Sequence, residues 1–427
     1  MKLPDVDVWL AAVWASIAGL LVLLAACAPD APNDASSHRF TLTVEDGVEV
    51  ALTTGGPKYD GDIFAYEKVL TIRPDPAAPE SYLGPPGAMT MSEDGTIFVA
   101  DGRAGRVVAF SSDGAFLRTY GRRGQGPGEF RFPALLEVID DALWAQDLSG
   151  QRTHVFSLDG SFLRTVGIPG PPRGLIDGYW WFLADGRIVI YEVGMLRDEE
   201  HTYQRAEMRV MDAEGNVLAS RETPWLPATE RFQPADRSEA VTLELQFRGF
   251  SEGRYARQHG FFLMSADQPE VRVYDLDGDL TRILRIDLPP RPVTDEDRAT
   301  ALARLEDELQ RALNPDESSS YRPDPRPARI QRDNPRYVDP KDYWRGMFVD
   351  DKGFVWLMPL PDHGGFQSGP SWSWLVLSAE GEYLGRTLAP GSRFHRGHVL
   401  ASEEDPDSGE QFPVVYRIRP AVPGLEY

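Results

Sequence analysis

Cysteine is almost missing: Cys27 is the only one in 427 residues. No disulfide can close within the chain, so the folded body must be held by packing alone. Histidine is scarce, with seven, which leaves few imidazoles for metal binding or acid–base work. Basic residues fall short of acidic ones, 44 against 66, for a formal charge of −22. A body so charged repels phosphate backbones, and this sets nucleic acid aside as a partner. No G-x-S-x-G nucleophile elbow occurs. The glycine-rich "GRRGQGPGEF" (121–130) fits neither dinucleotide nor P-loop spacing, contains Pro127 and opens no helical pattern. It reads as a structural connecting loop rather than a phosphate cradle. Ser368, Ser371 and Ser373 lie near His363 in sequence, but nothing beyond proximity nominates one as a nucleophile. Long apolar runs are also rare, and the one that exists is at the start.

From Trp9 to Ala26 the chain reads "WLAAVWASIAGLLVLLAA", eighteen residues without a charge, and Cys27 follows at once. Such a run approaches the length of a membrane span, or serves as a cleavable export signal. Leu24-Ala25-Ala26-Cys27 resembles the lipobox of bacterial lipoproteins. That resemblance implies that residues 1–26 are a signal peptide and that Cys27 carries the lipid. A flexible tether rich in Pro, Asp, Asn and Ser would then reach to about residue 40. Several acyl chains at roughly 0.8 kcal/mol per buried CH₂ would hold the protein to a bilayer. The expected location is the bacterial cell envelope, lipid-anchored at a membrane, the outer one on its periplasmic or surface side or the inner one.

The remaining chain repeats itself. Gly105–Gly121 and Gln151–Gly167 agree at ten of seventeen positions. Each unit has a polar turn, a strand ending in Asp, another apolar strand and an Asp-Gly turn, after which comes the fourth strand of a four-stranded unit, Ala115–Thr119 or Ser161–Thr165. Asp-Gly between alternating runs is hairpin chemistry, since glycine accepts positive φ cheaply. Weaker copies place equivalent turns at Gly215, Gly278 and Gly381. A last, incomplete unit ends with "QFPVVYRIRP" (Gln411–Pro420), and "YEKVLTIR" (Tyr66–Arg73) supplies a candidate for its missing outer strand. Borrowing that strand would close the ring and remove an open sheet edge.

"GRRGQGPGEFRFP" (Gly121–Pro133), with "IFVAD" before it and "FSSDGAFLRTYG" beside it, resembles NHL-type repeats of six-bladed β-propellers. "TVEDGVEVALTT" ahead of a propeller is similar to a group of exported bacterial propeller proteins. The implied fold is all-β over residues 41–427: six four-stranded antiparallel blades, the last completed by an N-terminal strand. One helical insertion is expected at about 292–343. There Thr294, with an acid three residues on, starts an amphipathic helix over Asp295–Leu313. Ala299, Leu302, Leu305, Leu309 and Leu313 would form its apolar face, and a Pro- and Arg-rich loop would follow. The helix could lie on the propeller, cover its channel or dock a partner.

Candidate site residues follow from residue type. His395 and His398, in "HRGH", could give a metal two imidazoles, with Zn the natural occupant. Asp101 and Asp147 end equivalent strands, as do Asp267 and Glu192; facing the axis they would make an oxygen-rich ring suited to Ca²⁺. Facing their own loops, they would instead satisfy backbone N–H groups. Arg122 and Arg123 could contact an anionic ligand if their loop borders the channel. The aromatic clusters "GYWWF", "YW" and "SWSW" could stack on a saccharide or pack between blades. The reading is a binding or interaction module that presents loops on a rigid ring to a protein, glycan or small molecule, without a resident cofactor. Its rival is a metal-assisted hydrolase, lactonase or lyase working at the channel.

Overall fold

The computed structural model describes residues 37–148, 152–167, 178–183, 185–235, 239–315, 324–361 and 372–427. Cys27 and the apolar leader lie outside them. Among the described residues no helix is long and apolar enough to cross a membrane.

The strands form six antiparallel blades. Blade 1 comprises Met89–Met91, Ile97–Asp101, Arg106–Phe110 and Phe116–Tyr120. Blade 2 comprises Pro133–Ile139, Ala142–Asp147, Arg152–Ser157 and Phe162–Gly167. Blade 3 comprises Gly178–Phe182, Ile188–Arg197, His201–Met211 and Val217–Glu222. Blade 4 comprises Glu252–Ala256, Gly260–Met264, Glu270–Tyr274 and Leu280–Ile286. Blade 5 comprises Trp344–Val349, Val355–Pro359, Trp372–Leu377 and Tyr383–Ala389. Blade 6 takes Arg393–His395, His398–Glu404 and Gln411–Pro420 from the end of the chain and Phe64–Thr71 from its start. The closing strand runs antiparallel to Gln411–Pro420, from Phe64 opposite Pro420 to Thr71 opposite Val414. The chain is a six-bladed β-propeller, closed as the sequence implies.

Closure is also visible in the packing. Six apolar clusters each join two successive blades. Phe98, Tyr120, Leu143 and Phe156 join blades 1 and 2. Trp144, Trp180, Phe182 and Ile190 join 2 and 3, and Trp181, Val189, Met208 and Phe261 join 3 and 4. Phe262, Leu284, Met347 and Leu375 join 4 and 5, and Trp356, Trp374, Phe394 and Val399 join 5 and 6. Val99, Phe110, Leu400 and Val415 join 6 back to 1. Successive residues of a strand face opposite sides of its sheet. That alternation sends Trp180 towards blade 2 and Trp181 towards blade 4. The tryptophans of "GYWWF" and Trp374 are therefore core residues.

The repeated Asp-Gly turns gain a second role here. Gly114, Gly160, Gly278 and Gly381 all hold positive φ, and each turn rests on the outer strand of the preceding blade. A Cβ on Gly114 would sit 3.0 Å from Leu70, on Gly278 2.9 Å from Ala219, and on Gly381 2.6 Å from Leu284. The glycine serves both the turn and the approach of neighbouring blades.

One addition lies outside the sequence expectation, and the expected insertion is more elaborate than a single helix. The hairpin Arg39–Glu45/Val48–Thr54 joins the outer edge of blade 4, with Val48–Thr54 parallel to Leu280–Ile286. It covers an exposed edge, and its first strand begins at Arg39, inside the stretch expected to be tether. The expected insertion forms a small subdomain. Helix α1 spans Asp295–Leu313 as expected, with the Thr294–Asp297 capping box formed. Its buried stripe is Asp297, Ala301, Leu305 and Leu309, a four-residue spacing, whereas Leu302 and Leu313 are exposed at 43% and 42%. The expected loop after it contains a second helix, α2, Pro325–Asp333, capped by Asp324 with proline in its first turn. Gln331 of α2 accepts from Glu244 N–H (2.7 Å) and donates to Glu244 O (3.0 Å). It thereby satisfies the strand Val241–Gln246, which continues the blade 3 sheet through Leu226–Phe232.

Candidate functional site at the channel mouth

In an antiparallel meander, turns between first and second strands and between third and fourth strands share one face. Turns between second and third strands and between blades share the other. On the first face no turn exceeds five residues. Among the described residues the second face carries the connections 72–88 and 121–132, the segments 223–235, 239–251, 287–315 and 324–343, and the extended hairpin of blade 3. The insertion subdomain belongs to this face. So does a recess of about 280 Å³ lined by Tyr82, Leu83, Arg103, Glu410 and Phe412.

The first strand of each blade is innermost, and those of blades 1 and 2, 4 and 5, 5 and 6, and 6 and 1 lie against one another. Their leading residues open on the loop-rich face. Five charged or hydroxylated residues stand in the leading part of these strands at this end: Tyr179 (blade 3), Glu252 and Arg254 (blade 4), Arg345 (blade 5) and Arg393 (blade 6). Glu252 pairs with Arg254 and accepts from Met347 N–H, linking blades 4 and 5. The Arg254 guanidinium stands 5.9 Å from the centre of the Tyr179 ring. Arg345 lies 5.7 Å from the ring of Phe250, an exposed aromatic on the link into blade 4. Arg393 feels the Tyr179 hydroxyl electrostatically, across the axis from blade 3.

Burial shifts the charged groups at this end of the ring. Burial pushes the Glu252 carboxyl above its usual range, against the pull of Arg254 and the Met347 N–H. Burial lowers Arg345 below the usual arginine value. Arg393 keeps solvent contact, yet the surrounding walls remove enough water to lower it too, with Tyr179 opposing. Withdrawing water from a cation favours its neutral form. Further along the channel Glu137 is raised by burial. It is held by Arg257 (3.2 Å), which also donates to Phe182 O (2.9 Å) and so ties blades 2, 3 and 4 together.

The residues nominated from sequence fall elsewhere. Arg122 and Arg123 follow directly on the outer strand of blade 1. Arg122 pairs with Glu129 (2.8 Å), and Arg123 donates to Arg103 O (2.8 Å). Asp101 and Asp147 are buried and turned to their own loops. Asp101 accepts from Ala104 N–H (3.0 Å), and Asp147 accepts from Phe132 N–H (2.9 Å) and pairs with Arg152 (3.3 Å). Glu192 pairs with Arg209 on the adjacent strand. His395 and His398 face each other across the tight turn of blade 6. His395 Nε2–H donates to Met91 O (2.6 Å), stitching blade 6 to blade 1, and His398 Nδ1–H donates to Arg396 O (2.9 Å). Among the described residues no three His, Cys, Asp or Glu side chains gather closely enough to hold a metal ion. Sequence reasoning missed the mouth arginines. The available signal was charge at the head of the innermost strands of blades 4, 5 and 6, as in "SEGRYA", "YWRGMF" and "SRFH".

Fold and channel define the class, a six-bladed propeller with an elaborated face. A family model described as DUF5128, a 6-bladed beta-propeller, matches residues 82–177. No curated protein matches the chain. Among solved structures, a Bacteroides fragilis protein is 10% identical, over 87% of this chain and 99% of that one, with a TM-score of 0.48. A DUF4221 family member from Bacteroides vulgatus is 13% identical, over 84% and 99%, with a TM-score of 0.46. Virginiamycin B lyase from Staphylococcus aureus is 9% identical, over 82% and 99%, with a TM-score of 0.33.

Proposed function

We propose that the protein is a lipid-anchored module of the cell envelope that binds a ligand at its channel mouth, on the loop-rich face. The anchor rests on the apolar run Trp9–Ala26 followed by Cys27. One observation carries the binding role: among the described residues, the connections 72–88 and 121–132, the insertion subdomain and the leading residues Tyr179, Glu252, Arg254, Arg345 and Arg393 of the innermost strands share one end of the ring. A rigid scaffold with its variable segments gathered at one concave end is a common way to build a recognition site.

The test is to purify the full chain from its own membranes and identify released small molecules by mass spectrometry. A near-stoichiometric ligand is expected, lost in Arg393→Ala and kept in Asp277→Ala, which lies in a turn of the opposite face. A ligand that survives Arg393→Ala, or a wild-type protein that yields none, refutes the reading.

A further inference from the structure

Resting on that reading of the channel mouth, we propose that the ligand carries an oxyanion, a carboxylate or a phosphate ester, and that Arg393 is its principal anchor. The chain bears a net charge of −22, yet innermost strands of three consecutive blades each bring an arginine to the mouth: Arg254, Arg345 and Arg393. The one carboxylate among them, Glu252, is committed to Arg254. Glu137, deeper in the channel, is committed to Arg257. Among the described residues Arg393 has neither a hydrogen-bond nor an ion-pair partner.

A guanidinium presents a planar fork of donors that matches an oxyanion two bonds at a time. Such a pair strengthens as water is excluded, and burial lowers both Arg345 and Arg393 from the usual arginine value. Tyr179 adds a hydroxyl donor from across the axis. A neutral polyol would find mainly donors at this mouth and would leave Arg393 uncompensated. The acidic exterior supplies selectivity: a polyanion is repelled at long range, whereas a small anion that reaches the mouth is not excluded by size.

The experiment titrates the purified full chain with inorganic phosphate and, separately, with citrate, by calorimetry at about 20 mM ionic strength, where screening is weak. Saturable binding of at least one probe is expected. Phosphate alone indicates a phosphate ester, and citrate alone a carboxylate. Arg393→Ala should weaken that binding at least tenfold, and Arg393→Lys, which keeps the charge but loses the fork, should fall between. Because Arg393 has no described partner to strand, unchanged unfolding midpoints are expected for both variants. Absence of saturable binding, or binding that Arg393→Ala leaves intact, overturns the proposal. A neutral ligand released from the native protein and lost in Arg393→Ala would leave the channel-mouth reading standing and overturn this one.

Discussion

The glycine of each outer turn offers a direct measure of how strongly the blades hold one another. At Gly381, φ is +94°, and an added Cβ would lie 2.6 Å from Leu284 Cδ2 and 2.9 Å from Ala51 Cβ. Both neighbours are buried. Ala51 sits on a strand that cannot turn aside, and Leu284 is enclosed by the cluster joining blades 4 and 5. Gly186 has nearly the same backbone, φ +88°, with nothing within 4 Å. Gly186→Ala should therefore cost only the left-handed conformation, about 1–2 kcal/mol. Gly381→Ala adds overpacking of about 1–3 kcal/mol, for a total of roughly 2–5. Between them should come Gly278→Ala, against Ala219 at 2.9 Å, then Gly114→Ala, against Leu70 at 3.0 Å. Gly160→Ala, which meets only Arg118 Cδ at 3.3 Å, should cost little more than Gly186→Ala. Urea midpoints with an unchanged m-value give the comparison. If Gly381→Ala and Gly186→Ala fall within about 0.5 kcal/mol of each other, the level of ordinary surface changes, the turns do not lock the ring and the packing argument fails.

His154 gives a pH prediction. It is buried; its Nδ1 accepts from Gly128 N–H (3.3 Å) and its Nε2–H donates to Glu129 O (2.9 Å), which fixes the loop between blades 1 and 2. Burial, aided by Arg152, lowers it from the ordinary value of 6.5. The unfolded chain therefore takes up the proton first, so this stability is complete above 6.5 and is lost as pH falls below it. Unfolding midpoints should drop between about pH 7 and pH 5, and His154→Gln should flatten that slope. His395, also lowered by burial, retains part of it; an unaltered slope in the variant would sink the assignment. In the insertion subdomain, Lys341 Nζ donates to Asp297 Oδ1 at 2.8 Å with both side chains buried. Lys341→Met strands that carboxylate and should cost about 3–5 kcal/mol, read as early exchange or cleavage of α1 in native-state proteolysis. A loss below about 1 kcal/mol, no more than an exposed pair contributes, would contradict the burial argument.

Much of the ring could be read from local chemistry. Gly114, Gly160, Gly215, Gly278 and Gly381 all take positive φ, because an Asp-Gly or Glu-Gly turn between alternating runs needs little from outside itself. Helix α1 was legible for the same reason, since Thr294 and Asp297 form its cap within a few residues. Helix α2 carried signals as well, an Asp324 cap and Pro325 at the first position. Its prolines and arginines resemble loop composition, and what stabilises it, the edge of Val241–Gln246, is remote in sequence. The N-terminal hairpin is a similar case: its Asp46-Gly47 turn is plain, but its parallel seat on blade 4 depends on an edge that exists only after folding.

Turn chemistry, strand alternation and the pairing of Phe64–Thr71 with Gln411–Pro420 were determined by the sequence itself, because each is a preference of neighbouring residues or of two complementary strands. Tertiary structure alone decided that the connections 72–88 and 121–132 and the insertion subdomain share one end of the ring. It alone decided that Arg254, Arg345 and Arg393, from separate blades, share a single mouth. It also turned Asp101, Asp147, Arg122 and Arg123 towards their own loops. Convergence on an axis is a property of the closed ring, and no stretch of chain short enough to be read locally contains it.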